Sequence, residues 1–192
     1  MKNKNLKFAI LILSLFVSIQ MFSPTSAVAQ RRDYLNELEI ELVRDAQMID
    51  LRTEVFVKAI DRRFLVINNQ TVIDDKKSGK DAEKWGALPV GTRSDLLLDI
   101  EKILESAIDN IDQVAVRDQK SELFPKAVKI LADGANRFLP QLKSQLDKTN
   151  DQKEKGAIIG AIDFCNQIIE ASAKVPKETT KEKNKNSKKD PN

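Results

Sequence analysis

The stretch YLNELEIELVRDAQMIDLRTEVFVKAIDRRFLVI, residues 34–67, decides the fold class. Its apolar side chains recur at Leu35, Leu38, Leu42, Ala46, Ile49, Phe56, Ile60, Phe64 and Ile67, with gaps of three or four residues; Thr53 fills the one wider interval. That spacing returns to the same side of a helix at every turn, so one face can be buried along the whole stretch. The opposite face carries Glu37, Glu41, Arg44, Glu54, Lys58 and Arg62, which suit water. Asp50 is placed to cap a second start, so a break or kink is expected near Ile49 within a helical stretch over about 33–67.

Such a stripe needs covering, and the downstream chain supplies three more. Thr92, with Asp95 three residues on, predicts a helix start, and Leu97, Ile100, Leu104, Ala107, Ile111 and Val114 predict a helix over 94–118, its stripe widened by Ile103 and Ile108. Over 122–148 the stripe is Phe124, Val128, Leu131, Ala135, Phe138, Leu142 and Leu146. Pro125 suits a first turn, but Pro140 predicts a kink, or a stop at Asp133-Gly134 and a restart at Asn136. Asp151 and Glu154 open a last helix over 151–174, with Ile158, Ala161, Cys165, Ile168 and Ser172 on its buried side. Gly156 and Gly160 on that helix are spaced to let a neighbour approach. With six glycines, six prolines and no β-branched alternation, the chain lacks the punctuation of a sandwich or barrel. The expected fold is all-α: a compact bundle of four to five amphipathic helices in one domain, 30–175.

Both flanks read differently. Lys2, Lys4 and Lys7 precede an apolar run from Phe8 to Phe22; Ser23-Pro24 ends it, and Ala27-Val28-Ala29 offers the small residues a signal peptidase reads. Residues 1–29 are therefore expected to be a signal peptide cleaved before Gln30, with the mature chain periplasmic or extracellular. The run of fifteen is shorter than the roughly 20 residues a spanning helix needs, so no transmembrane span is expected in the mature chain. From Pro176 to Asn192 six lysines alternate with three acids and no apolar residue follows, which predicts a disordered basic tail able to make at most a weak contact with an anionic envelope surface. Of the 32 basic and 29 acidic residues, 23 and 26 fall within 30–175, a net −3, so the basic balance belongs to the ends and a nucleic-acid partner is not expected.

Chemistry is bounded mainly by missing atoms. The chain has no histidine and one cysteine, which removes imidazole-based hydrolysis, histidine-ligated haem or di-iron sites, an intramolecular disulfide and thiolate cages for iron–sulfur clusters. Cys165 sits on a buried stripe and reads as a core residue. Asp109 with Asp112, and Glu37 with Glu41, lie three and four apart on helices and read as solvated faces. Asp74, Asp75 and Asp81 miss the calcium-loop pattern because Lys76 stands two after Asp74, and Ser78-Gly79-Lys80 lacks the first glycine and the strand of a phosphate loop. No catalytic, cofactor or metal residue is assigned, and no enzyme is expected.

The segment from Asn68 to Thr92 is the exception to the helical pattern, and connections of this length are usually functional or disordered. It holds the only tryptophan, in Lys84-Trp85-Gly86-Ala87-Leu88-Pro89-Val90. Trp85, Leu88 and Val90 either pin the loop to the end of the bundle or contact a partner. The expected function is that of an exported helical bundle acting by binding, as a structural or interaction module with a protein partner or by self-association. The alternative is a carrier holding a small apolar ligand in an inter-helix cavity gated by the 68–92 loop.

Overall fold

Five helices carry the architecture of the computed structural model, which describes residues 32–69, 83–117 and 121–175. They are α1 (Glu37–Asp45), α2 (Ile49–Ile67), α3 (Arg93–Arg117), α4 (Leu123–Leu146) and α5 (Gln152–Lys174). No strand occurs among the described residues. The leader over 1–29, the Asp74, Asp75, Asp81 and Ser78-Gly79-Lys80 features and the tail over 176–192 lie outside them. No described helix is long and apolar enough to cross a membrane.

The opening stretch divides into α1 and α2, separated at Ala46-Gln47-Met48. Asn36 starts α1 with a reciprocal cap: its side chain accepts from the Glu39 N–H at 2.9 Å, and the Glu39 carboxylate accepts from the Asn36 N–H at 3.1 Å. Asp50 does not cap α2. Met48 takes that position without a side-chain bond, and Asp50 lies two residues on within the first turn, buried and joined to Lys126 of α4 at 2.5 Å. Pairing with a lysine across the bundle has replaced the local capping role. The start of α3 is closed by the Thr92 hydroxyl and the Asp95 carboxylate, 2.7 Å apart. Asp151 starts α5 by accepting from the Lys153 and Glu154 amides.

Pro140 does not stop α4, which runs unbroken through it. Asn136 and Pro140 lie on the solvent side, so the Asn136 carbonyl deprived of its helical partner faces water. At the neighbouring position the Gln141 side chain donates to the Arg137 carbonyl at 3.2 Å. Gly134, buried on the same helix, meets Val57 of α2 so closely that a Cβ there would stand 3.0 Å from the Val57 side chain.

Helices α2 to α5 form a four-membered ring in which α2 touches α3 and α4, while α5 touches α3 and α4. Cross-links between ends give the directions. Asp50 meets Lys126 and Asp61 meets Arg137, so α2 and α4 are parallel. Arg93 meets Glu154 at 3.1 Å, so α3 and α5 are parallel, whereas Arg52 donates to Asn110 at 3.1 Å, which makes α2 and α3 antiparallel. The four long helices thus run up, down, up, down, with α3 and α4 at diagonal positions of the ring. Helix α1 packs mainly on α2. The shared core includes Ile60, Leu97, Ile100, Leu104, Phe138 and Ile158, all buried, with Phe64 and Phe138 stacked at 5.8 Å. Gly160 lies beneath the Glu101 side chain of α3; Gly156, by contrast, has nothing near it and permits no close approach.

Candidate functional site

The three loop residues singled out in the sequence separate. Trp85 is buried in the core, Leu88 is half-buried and Val90 is 85% exposed. Trp85 therefore anchors the loop and is not an accessible contact, while Val90 does not pack with it. Gly86 has a φ of 63°, and this left-handed turn brings the loop backbone against Leu38.

What holds Trp85 is a buried charge cluster in which Arg62 is the member that helical periodicity did not suggest. Arg62, expected on the solvated face of α2, is 4% exposed. Its guanidinium lies over the Trp85 ring, 5.5 Å from the centroid, and donates to the Gly86 carbonyl at 3.3 Å and to the Ala87 carbonyl. Next to it, Arg63 makes a two-pronged pair with Glu39, both bonds at 2.7 Å, and donates to the carbonyls of Ala59 at 2.8 Å and Tyr34 at 2.6 Å. Arg62 Nε stands 3.3 Å from Glu39 Oε1, and Arg63 Nε stands 3.7 Å from Asp99 Oδ2 on α3. Among the described residues, two guanidinium groups face two carboxylates. None of the four is more than 4% exposed, so the cluster ties α1, α2, α3 and the loop together and gives a ligand no access.

The accessible concavity is at the opposite end. A cleft of about 440 Å³ opens between the last turns of α3, the first turns of α4 and the last turns of α5. Ile108, Ile111, Phe124, Val128, Leu131 and Ile168 form its floor; Asp112, Gln167, Glu170 and Lys174 mark its rim. The diagonal placement of α3 and α4 explains the space, because α5 ends between two helices that touch each other less than either touches α5. Ile108 lies 15 residues along α3 from Arg93, about 22 Å at 1.5 Å per residue, so the cleft is far from where the 68–92 loop joins that helix. No described residue of that loop lines the cleft, and the expected gate over 70–82 lies outside the described residues.

The remaining surface offers less. A hollow of about 340 Å³ between α1 and α3 has a mixed wall that includes Tyr34, Phe56, Ser106, Asp109 and Asn110. The exposed large apolar residues Leu38, Met48, Leu51, Val90, Val116 and Ile159 are distributed one or two to an element, the pattern of an ordinary surface. Asp109, Asp112, Glu37 and Glu41 are all exposed. Among the described residues no three acidic or thiol side chains converge as a metal site requires. Cys165 is fully buried, and burial pushes its thiol up to about 12. Comparison of the chain with family models, with curated proteins and with solved structures gave no match.

Proposed function

We propose that this chain is an exported binding module that takes a small, largely apolar ligand in the cleft between α3, α4 and α5. The observation that carries the reading is the cleft itself. Its volume falls within the roughly 300–1,000 Å³ of small-molecule sites, its floor is aliphatic and aromatic, and its few polar groups sit at the mouth. A protein-docking role would be better supported by a continuous apolar patch, and the exposed apolar residues are dispersed instead. The basic and apolar leader pattern over 1–29 supports export of the module.

The test uses N-phenyl-1-naphthylamine, a neutral dye whose fluorescence rises in apolar surroundings. Titration into the native protein should give a saturable, single-site enhancement. Ala171, an exposed residue on the cleft wall, is the position to fill. Ala171→Trp should abolish the enhancement while leaving helical content and melting temperature unchanged. An enhancement that fails to saturate, or one indifferent to this substitution in a folded variant, would overturn the assignment.

A further inference from the structure

We propose that the ligand of this cleft is an amphiphile whose polar end is a cation, recognised by Asp112; the inference rests on the ligand-binding reading above. Three charges mark the rim, and two of them cancel, since Lys174 Nζ lies 3.0 Å from Glu170 Oε1 one turn away on α5. Asp112 is the charge left over. It is exposed, lies one residue from Ile111 on the cleft floor, and has no hydrogen bond or ion pair among the described residues. The C-terminal ends of α3 and α5 both point to this end of the bundle, and the partial negative charge of a helix C-terminus favours a cation.

Two features oppose this preference, and both are weak here. The amino end of α4 would attract an anion through free N–H groups, but Pro125 has none and the Phe124 N–H already donates to the Ser121 carbonyl at 3.2 Å. The lysine-rich sequence after Val175 is positive overall, yet residues 176–182 hold two lysines and two glutamates. Its surplus of three positive charges begins only at Lys183. A fixed carboxylate beside the apolar floor therefore outweighs both.

Three probes with the same twelve-carbon chain separate the possibilities: dodecyltrimethylammonium, dodecyl maltoside and dodecyl sulfate. Each would displace N-phenyl-1-naphthylamine from the full chain at pH 7 and low salt, below its micellar concentration. The ammonium compound should displace the dye at a concentration about fivefold lower than the neutral maltoside. The sulfate should need more than the maltoside. In Asp112→Asn the ammonium advantage should vanish while displacement by the maltoside stays the same, and 0.5 M salt should shrink the advantage in the native chain. Equal displacement by all three, or earliest displacement by the sulfate, overturns the cationic assignment and leaves the cleft reading standing. Displacement by none of them overturns both.

Discussion

Replacing Glu39 by glutamine tests whether the buried charge cluster holds α1 in place. The substitution preserves shape, so no cavity forms, and it removes one negative charge from a site where Glu39 is fully buried. Arg62 and Arg63, also buried, would then lose the carboxylate they both approach, while Asp99 keeps its place 3.7 Å from Arg63 Nε. Breaking one partner of a buried ion pair destabilises by about 3–5 kcal/mol, because the remaining charge is left uncompensated. With a urea slope of about 2 kcal/mol/M, the unfolding midpoint should fall by roughly 2 M. Helix α1 packs mainly on α2, so its amides should lose hydrogen-exchange protection before the rest of the bundle does. Glu39→Gln combined with Arg63→Met leaves one guanidinium facing one carboxylate and should be at least ~1.5 kcal/mol more stable than the two single losses added together. A single-variant loss below about 1 kcal/mol, or strict additivity in the pair, would show that the cluster is not a desolvated ion network.

Other perturbations give independent readouts. Gly86→Ala forces a side chain into the left-handed region at φ 63° and against Leu38, and should lower stability by about 1–2 kcal/mol in thermal or urea unfolding. Cys165, with its thiol held near 12, should be silent to an aromatic disulfide reagent at pH 8 and react at once in denaturant. The hydrogen bond from Lys126 holds the Asp50 carboxyl below its ordinary value; its stabilisation is present above pH 3.8 and lost as pH falls through the lower folded value, so Asp50→Asn should flatten the acid limb of a stability profile. Glu101 has the opposite sign, since desolvation raises its pKa: stability declines as pH rises through the folded value, and Glu101→Gln should melt higher than the native chain at pH 7 but together with it below the carboxylate range.

The helical class was legible because four apolar stripes at three- and four-residue spacing leave no other way to bury that surface. The cluster was partly legible as well. Glu39 is four residues after Leu35 and three before Leu42, Arg63 follows Ile60 by three, and Asp99 follows Leu96 by three and precedes Ile103 by four. Each charge occupies a stripe position, and charges placed there must meet opposite charges. Arg62 gave no such signal. It is covered by Trp85 of the loop and approached by Glu39 of α1, tertiary contacts without a local trace. Pro140 does not stop the helix, because the cost of a proline there depends on whether the freed carbonyl meets water, and sequence does not report that exposure. The cleft had no signature either, since Ile108, Phe124, Val128 and Ile168 look like any other core residues until α3 and α4 are known to lie across a diagonal.

That diagonal also explains why the two ends of the bundle can serve different purposes. At the loop end the gap above the core is closed by Trp85 and by side chains whose charges cancel, which ties four segments of chain to one point. At the other end no such cluster spans α3 and α4 among the described residues, and the apolar floor is reached from outside. The buried layers between them, built on residues such as Leu104, Ala107 and Ile158, carry the cohesion of the four long helices. Changes at one end should therefore be felt little at the other, because sites more than about 7–10 Å apart with no shared partner behave independently. Glu39→Gln should leave dye affinity unchanged in buffer while shifting the urea midpoint, and Asp112→Asn should remove the ammonium advantage without shifting that midpoint. If Glu39→Gln weakened dye binding in a fully folded sample, the ends would be coupled through α3, and the cleft would have to be understood as part of one strained unit rather than a separate recess.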